Sequence, residues 1–385
     1  MTPAARVQAA IEMLDEFLKG QSGERALAAW ARRSRYAGSG DRAAVRDHVY
    51  DALRHLRSYA AFGGGMSGRG IMIGAFRHKG LDLDEIFSGQ RFAPDPVSSE
   101  ERQAAFESDA QQYDIPDWLW PIWNEDLGVQ ACEVAENLRQ RAPVFLRVNV
   151  ARISRAVMIQ KLEQEGIITE AHPSVVTALR VVSGARKISN SAAYKYGLVE
   201  LQDASSQASV CALDQHMQGP VLDFCAGGGG KALALAAWLD TKVDAHDIKM
   251  ARMKNLAVRA KRAQADITIK NTDEVEKTNY NVVFCDVPCS GSGAWRRDPS
   301  SKWQLTSEQF NKLLQTQANI IARAAKLVRS GGYLVYATCS VLDRENTTQV
   351  ENFLNLNTQF KLIHSFKFLP DSNGDGFYFA VLKNL

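Results

Sequence analysis

Long apolar runs are missing from this sequence. No stretch approaches the roughly 20 consecutive apolar residues that a membrane-spanning helix needs, and the N-terminal stretch MTPAARVQAAIEMLDEF has no apolar segment of the kind that secretory signals contain. We therefore expect an intracellular, cytoplasmic protein with no membrane segment. Apolar residues are 45% and charged residues 23% of the 385 positions, which is typical of globular chains and excludes collagen-like or wholly disordered ones.

Spacings typical of metal sites are missing too. None of the six cysteines forms a C-x-x-C pair and none of the seven histidines forms an H-x-x-H pair, so we predict no zinc ribbon, no thioredoxin motif and no bound metal. The cysteines are expected to be free thiols. We expect Cys132, Cys211 and Cys285 to be buried as small apolar side chains.

The net charge of +3 is small, but it is unevenly distributed. Residues 1–80 hold 13 Lys and Arg against 7 Asp and Glu, and an acidic segment follows over 81–130. The basic segment has two interpretations: it binds phosphate, or it is a solvated helical face that pairs with the acidic segment. The arginines concerned are Arg32, Arg33, Arg35, Arg42, Arg46, Arg54 and Arg57.

Three stretches of different pattern predict an α/β protein with three domains. Residues 1–112 are predicted to form a helical N-terminal domain. Residues 113–198 predict a small ferredoxin-like or RRM-like α+β unit, because a helical stretch separates two strand-like ones. From 199 to 385 strands and helices alternate, which predicts a Rossmann-like, doubly wound parallel sheet that ends in an antiparallel hairpin.

Reactive side chains follow the predicted parallel strands. The carboxyl ends of such strands form the ligand-binding edge of an open α/β sheet. The residues expected there are Cys225, Asp247, Asp273, Asp286, Cys289 and Cys339, with a glycine run over 227–230.

The glycine run predicts a nucleotide-bearing cofactor. Gly227, Gly229 and Ala232 match G-x-G-x-x-A, and Asp247 follows Gly227 by twenty residues, where a ribose-binding acid belongs. Nicotinamide cofactors and S-adenosylmethionine fit this pattern equally well. Two cysteines at the same edge favour a methyltransferase that uses covalent catalysis over a nicotinamide-dependent dehydrogenase, which needs no thiol there.

Thiol, carboxylate and methyl donor together suit the methylation of a pyrimidine at C5. That carbon becomes nucleophilic only after a thiolate adds to C6, and a carboxylic acid at N3 of cytosine makes the addition easier. We expect Asp286 to be protonated for this role in a dry pocket. Helix N-termini and Lys231 are expected to lower the pKa of the reactive thiol.

From about residue 116 onward the chain resembles the RsmB-type (Sun-family) RNA cytosine-C5 methyltransferases. The similar segments are LRVN (146–149), LQDASSQ (201–207), LDFCAGGGGK (222–231), DVPCSGSG (286–293), ATCSV (337–341) and DGFYFAVL (375–382). The resemblance implies S-adenosylmethionine as cofactor and RNA as substrate, with ribosomal RNA expected before transfer RNA. It also connects residues 1–112, more faintly, with the NusB-like RNA-binding domain of some members.

The same resemblance assigns individual roles. It implies that Cys339 adds to C6, that Cys289 assists product release, and that Asp286 contacts the base or the cofactor. Asp273 is implied to lie near the adenine. The cofactor-binding residues expected in all are Cys225, Ala226, Gly227, Gly228, Gly229, Gly230, Lys231, Asp247, Asp273 and Asp286.

The chain departs from the family at Gly227 and Gly228, which replace the usual Ala-Pro. Glycine loosens a loop, so weaker cofactor binding is expected. The alternative function is therefore a non-catalytic RNA-binding or ribosome-assembly factor with a degenerate methyltransferase domain. Both cysteines and Asp286 are retained, which argues for an enzyme.

The loop after Cys289 combines basic and aromatic residues. This composition suits a flipped base and its phosphates, although a solvated loop anchored by tryptophans explains it equally well. The RNA-binding residues predicted here are Arg296, Arg297, Lys302 and Trp303. Nothing in the sequence requires an oligomer, so a monomer is expected.

Overall fold

The computed structural model of the protein describes residues 1–215, 217 and 219–385. Contacts divide the chain into two compact units: Met1–Arg141 with Trp295–Thr306, and Ala142–Ala294 with Ser307–Leu385. We call them the helical unit and the α/β unit. The division after residues 112 and 198 follows changes of pattern along the sequence, and it stays a prediction.

The helices and strands are numbered in chain order. The α-helices are α1 (Pro3–Leu18), α2 (Gly23–Arg33), α3 (Ser39–Arg54), α4 (Leu56–Gly63), α5 (Gly68–His78), α6 (Asp109–Gln112), α7 (Trp120–Leu127), α8 (Ala131–Arg139), α9 (Arg155–Gln164), α10 (Ala192–Lys195), α11 (Ala204–Cys211), α12 (Gly230–Leu239), α13 (Leu256–Ala263), α14 (Thr272–Val275), α15 (Pro299–Gln304), α16 (Ser307–Ala325) and α17 (Thr347–Leu356). The strands are β1 (Phe145–Val148), β2 (Ile168–Ala171), β3 (Ala178–Ser183), β4 (Val199–Leu201), β5 (Val221–Asp223), β6 (Val243–Ala245), β7 (Ile267–Ile269), β8 (Tyr280–Asp286), β9 (Val328–Thr338), β10 (Phe360–Phe368) and β11 (Phe377–Asn384). Short 3₁₀ helices cover Gly128–Gln130, Ala185–Asn190, Met250–Met253, Ser292–Ala294 and Asp343–Glu345.

The helical unit packs α1–α5 around an apolar core. Helix α1 begins where Thr2 accepts a hydrogen bond from Ala5 N, which satisfies one of the free N–H groups of the first turn. On α3, Val45, Val49 and Leu53 recur at a spacing of four and are fully buried, so this face is directed into the core.

Trp295–Thr306 packs within the helical unit although it follows the cysteine-bearing loop in sequence. Trp295 stacks on Trp123 with ring centroids 5.9 Å apart. Trp303 Nε1 donates to the carbonyl oxygen of Leu53 at 2.7 Å. The segment is therefore anchored by aromatic side chains.

The α/β unit contains two sheets. The smaller has strand order β2-β3-β1-β4, with every neighbour antiparallel. Helix α9 begins at the N-cap Ser154 and buries Met158 and Leu162 in the core that this sheet forms. This antiparallel sheet with its helix confirms the predicted ferredoxin-like unit.

The larger sheet has the order β10-β11-β9-β8-β5-β6-β7. Strands β9, β8, β5, β6 and β7 are parallel, while β11 and β10 continue the sheet antiparallel. Strands β8 and β9 are mostly apolar and buried, as strands covered on both faces must be. The predicted doubly wound sheet with a closing hairpin is confirmed, and the loops that follow β5, β6, β8 and β9 leave its carboxyl edge.

Among the described residues, no helix is both long enough and apolar enough to cross a bilayer.

Candidate active site

The glycine loop links β5 to the N-terminus of α12. Gly229 lies at φ +81°, and a Cβ there would come 2.1 Å from Leu256 Cδ1, so the position requires glycine. Gly229 N donates to Ala226 O at 2.7 Å, which closes the turn. The loop thus brings bare backbone to the carboxyl edge, where a ligand can approach it closely.

Asp247 lies at the start of the loop after β6 and is hydrogen-bonded to the glycine loop. It is 2% exposed, and its Oδ2 accepts hydrogen bonds from Gly227 N at 2.9 Å and from Arg252 Nη1 at 3.0 Å. Its Oδ1 accepts from Lys249 N at 2.8 Å. The structure therefore places Asp247 directly behind the loop, with its carboxylate bonded to protein groups.

Two arginines hold the loop's carbonyl groups. Arg147 Nη1 donates to Gly230 O at 2.6 Å, and Arg259 Nη1 donates to Gly228 O. Arg147 is buried, and this burial lowers the pKa of its guanidinium to about 10. These contacts oppose the loosening that the Gly227–Gly228 pair was expected to cause.

A cavity of about 340 Å³ opens beside the glycine loop, a size typical of small-ligand sites. The predicted site residues that line it are Cys225, Ala226, Gly227, Gly228, Gly230, Lys231, Asp286, Cys289 and Cys339. Gln202 and Arg252 also line it, and the sequence analysis did not anticipate either. Gly229 and Asp247 lie behind this lining rather than in it.

Asp223, the last residue of β5, is a fully buried carboxylate. Neither of its side-chain oxygens has a hydrogen-bond partner among the described atoms. Burial, with the charge of Asp286 second, raises its pKa to about 7. Asp223 does not line the cavity, but the partly exposed Asp286 carboxylate and the bare backbone of the glycine loop do, so the residues present fit S-adenosylmethionine, whose sulfonium and ammonium groups are cationic.

The two cysteines meet at this cavity. Cys289 follows β8, Cys339 follows β9, and their Sγ atoms are 3.4 Å apart. The pKa of Cys289 is raised well above its usual value, because its thiol hydrogen-bonds to Cys339 Sγ and because it is buried. Burial and this hydrogen bond thus both disfavour the thiolate form of Cys289.

Lys231 pairs with a carboxylate rather than with a thiol. Its Nζ lies 2.6 Å from Asp286 Oδ2 and 5.0 Å from the centroid of the Phe377 ring. The expectation that Lys231 lowers a thiol pKa is thus replaced by an ion pair. The Asp286 carboxylate therefore accepts a hydrogen bond from Lys231, and its protonation in a complex with the base stays a prediction.

Asp273 and the basic loop residues lie outside the cavity lining. Asp273 is exposed in the first turn of α14. Arg296 and Lys302 are each 2% exposed within the helical unit, where burial lowers the pKa of Lys302 to about 8. Trp303 packs against the helical core, and Arg297 alone of these four is exposed.

The helical unit contains its own cavity of about 610 Å³. The cations that line it are Arg46, Arg54, Lys79, Arg139 and Arg141, against the two carboxylates Asp47 and Asp51. His55 stacks on Tyr59 at its wall, with centroids 4.5 Å apart. Arg46 and Arg54 of the basic segment thus face one cavity, whereas Arg57 pairs with Asp117 at 2.7 Å.

Several site features were missed from the sequence. Glu345, Ser290, Ser340 and Gln317 form a buried hydrogen-bond cluster behind the cysteines. The serine that follows each cysteine was a usable signal. Cys285 is buried as expected, but Cys132 is exposed, so the prediction that it is buried was wrong.

Within residues 1–215, 217 and 219–385, no group of three or more His, Cys, Asp or Glu side chains is arranged to hold a metal ion.

A parallel α/β sheet with a glycine loop, a carboxylate behind it and a cavity at its carboxyl edge is the arrangement of Rossmann-like cofactor-binding enzymes, and the two cysteines at this cavity favour a methyltransferase among them. The family model described as 16S rRNA methyltransferase RsmB/F matches residues 210–383, and the RsmF/B-like ferredoxin-like domain matches residues 115–186. The chain belongs to the RsmB/F methyltransferase family, and its cofactor is S-adenosylmethionine.

Curated relatives agree with this assignment. Ribosomal RNA small subunit methyltransferase B of Serratia proteamaculans is 31% identical over 295 residues, which cover 73% of this chain and 68% of that protein. The protein of the same name from Erwinia tasmaniensis is 31% identical over 287 residues, covering 71% and 67%. The matches span about two thirds of the length of these relatives.

Solved structures show the same fold. The crystal structure of PH0851 superposes over 100% of this chain and 99% of its own, with a TM-score of 0.76 and 21% identity. NSun6 from Pyrococcus horikoshii with SFG covers 70% of this chain and 98% of its own, with a TM-score of 0.62 and 18% identity.

Proposed function

We propose that this protein transfers a methyl group from S-adenosylmethionine to C5 of a cytosine in RNA, through a covalent adduct between Cys339 and C6. Ribosomal RNA is the first substrate to test, because the curated relatives carry that substrate in their names, and transfer RNA is the second. The observation that carries the proposal is the 3.4 Å separation of the two cysteine sulfurs at the cavity beside the glycine loop.

Cys339 is the nucleophile in this proposal. The pKa of the Cys289 thiol is raised well above its usual value by the hydrogen bond to Cys339 and by burial, so Cys289 is the poorer nucleophile of the two. Its Sγ adds to C6 of the cytosine, and the electrons of the C5–C6 double bond make C5 nucleophilic. The bound cofactor supplies an electrophilic methyl group on its sulfonium.

Asp286 and Lys231 orient the base. The Asp286 side chain is about one-third exposed to the cavity, and Lys231 is nearly buried behind it. The carboxylate accepts a hydrogen bond from the exocyclic amine of cytosine. A proton shared between N3 and Asp286 favours addition at C6, and Lys231 is the adjacent group that can supply it.

Cys289 is the base that removes the proton from C5 in this proposal. Its raised pKa depends first on the hydrogen bond to Cys339, and this contribution disappears once Cys339 Sγ is bonded to carbon. The pKa of Cys289 then falls, its thiol loses a proton to solvent, and the thiolate removes the proton from C5. Elimination expels Cys339 as a thiolate beside a reprotonated Cys289, which restores the starting state.

Substituting each cysteine tests these roles. Cys339→Ala is expected to abolish methyl transfer from tritiated cofactor, whereas Cys289→Ala is expected to accumulate a protein–RNA adduct that survives a denaturing gel. The exposed Cys132→Ala is the matched control. Normal turnover by the Cys289 variant together with a trapped adduct in the Cys339 variant would reverse the assignment, and no transfer by the unmodified protein to any RNA would favour the non-catalytic alternative.

The helical unit is proposed to contact the RNA backbone. Its cavity is lined by five cations and two carboxylates, and although Lys79 pairs with Asp51 and Arg139 with Asp114, Arg46 and Arg141 are exposed. An excess of cations with aromatic side chains at one wall suits phosphates and unstacked bases.

A further inference from the structure

Glu345 is a carboxylate with no exposed surface, lying in the 3₁₀ turn between β9 and α17. Its Oε1 accepts hydrogen bonds from Ser290 N at 2.8 Å and from Gln317 Nε2 at 2.9 Å. Its Oε2 accepts from the hydroxyls of Ser290 and Ser340, each at 2.5 Å. Four donors satisfy this buried charge, whose burial would otherwise be costly.

Two of these partners are the residues that directly follow the cysteines. Ser290 follows Cys289 on the loop after β8, and Ser340 follows Cys339 on the loop after β9. One carboxylate oxygen therefore bonds both loops, at one residue from each sulfur. Ser292 strengthens the connection, since its hydroxyl lies 2.8 Å from Ser340 Oγ.

A third element is fixed by the same cluster. Gln317 of α16 donates from Nε2 both to Glu345 and to the carbonyl oxygen of Pro288, the residue before Cys289, at 3.0 Å. Tyr336 of β9 donates its hydroxyl to Glu345 O at 2.6 Å. Both flanks of Cys289 are thus held, from Pro288 and from Ser290.

The charge of Glu345 also acts on Cys289. Besides the hydrogen bond to Cys339 and burial, the negative charges of Cys339 and Glu345 raise the pKa of the Cys289 thiol. The other ionisable groups that line the same cavity are Cys225, Arg252, Asp286 and Lys231. Lys231 is paired with Asp286, and Arg252 is paired with Asp247.

We propose that Glu345 is a positioning residue for the cysteine pair: its carboxylate fixes the two cysteine-bearing loops against each other and so holds the two sulfurs in contact. Glu345 does not touch the substrate and acts through Cys289 and Cys339. Its consequence for turnover rests on the function proposed above, but its effect on the thiols does not.

The test is alkylation of the full-length protein with iodoacetamide between about pH 6 and about pH 10, with each cysteine peptide quantified by mass spectrometry. Glu345→Gln is expected to move half-maximal alkylation of Cys289 to lower pH, because a negative charge that raises the pKa of its thiol is removed, so Cys289 is alkylated faster at a fixed pH below the midpoint. The exposed Glu351→Gln on α17 is the matched control and is expected to leave the profile unchanged. In methyl-transfer assays Glu345→Gln is expected to lower kcat with little change in KM.

A Cys289 profile that superposes on that of the unmodified protein, with only the melting temperature lowered, would show a purely structural role and overturn the proposal. If Glu345→Gln does not fold, Ser340→Ala replaces it, because one donor is removed while the charge remains. Faster alkylation of Cys339 is then expected, and an unchanged rate overturns the proposal. Alkylation needs no RNA, so the result stands even if the methylated base proves not to be cytosine.

Discussion

Lys231 Nζ and Asp286 Oδ2 form a 2.6 Å ion pair in the lining of the cofactor cavity. Lys231 comes from the first turn of α12 and Asp286 from the end of β8, so the pair connects the glycine loop to the strand that precedes Cys289. The ammonium stabilises the carboxylate from its buried side, and the carboxylate presents its remaining surface to the cavity.

Removing either partner of this pair leaves an uncompensated charge. We expect Lys231→Met and Asp286→Asn each to destabilise the fold by about 1–2 kcal/mol, less than a fully buried pair would because Asp286 is partly exposed. The double variant is expected to lose less than the sum of the single ones, because neither charge remains. Urea unfolding of the four proteins measures the coupling, and strict additivity would mean that the pair contributes nothing to stability.

The hydrogen bond between the cysteines predicts how the two thiols influence each other. In Cys339→Ala the first cause of the raised Cys289 pKa is removed, so this pKa should fall and Cys289 should react faster with iodoacetamide at about pH 8 than in the unmodified protein. Cys211→Ala is the control, since Cys211 bonds Thr177 and lies outside the cavity lining. Equal Cys289 rates in all three proteins would contradict the contact with Cys339 as a cause of the raised pKa of Cys289.

Asp223 predicts a pH dependence of stability. Its folded pKa of about 7 lies above the value of 3.8 for an ordinary aspartate, so the folded state binds the proton more tightly. The stability that this proton confers is complete below about pH 4 and is lost as the pH rises through about 7. Asp223→Asn should therefore gain stability relative to the unmodified protein between about pH 5 and about pH 8, by a few kcal/mol at most.

Thermal unfolding of Asp223→Asn and of the unmodified protein, at about pH 5 and at about pH 8, measures this difference in stability. The exposed Glu351→Gln is the control and should show the same pH dependence as the unmodified protein. An Asp223→Asn curve parallel to that of the unmodified protein would mean that Asp223 is ionised throughout this range.

The glycine loop offers a matched pair of substitutions. A Cβ at Gly229 would meet Leu256 at 2.1 Å in a left-handed backbone conformation, whereas a Cβ at Gly230 would meet no atom within 4 Å outside its own helix. We expect Gly229→Ala to destabilise the fold by about 2 kcal/mol or more and Gly230→Ala to change it by less than about 0.5 kcal/mol. The urea concentration at the midpoint of unfolding measures both stability changes. Equal changes for the two variants would mean that the loop rearranges freely.

Sequence reasoning located the site because parallel strands end at one edge. The order of Cys225, Asp247, Asp286 and Cys339 along the chain was enough to bring their loops together once the sheet was predicted. The hydrogen-bond cluster around Glu345 was not predicted, because a glutamate in a polar stretch gives no sign that tertiary contacts will bury it completely.

In the loop after Cys289, residues that the sequence predicts to be exposed are buried. Arg296 and Lys302 lie in a polar stretch that suggests exposure, yet both are buried, because Trp295–Thr306 packs within the helical unit rather than lying in solvent. The buried Lys302 places its Nζ 3.5 Å from the carbonyl oxygen of Arg54, which is distant in sequence. No local pattern specifies such partners.

Phosphate binding by the helical unit is testable through salt dependence. Arg46 and Arg141 line its cavity and are exposed, and the one ion pair between them and their neighbours, Arg141 to Asp47, is long at 3.9 Å. Arg46→Ala with Arg141→Ala is expected to weaken binding of a fluorescein-labelled single-stranded RNA and to reduce the slope of log affinity against log salt by about one per lost phosphate contact. The control is Arg32→Ala with Arg33→Ala, which removes the same number of charges outside the cavity lining. If the RNA binds at the cavity, this control should leave the slope of log affinity against log salt nearly unchanged. Equal losses in the two double variants would assign the basic segment to a general electrostatic role, and no loss in either would favour the interpretation of a solvated helical face.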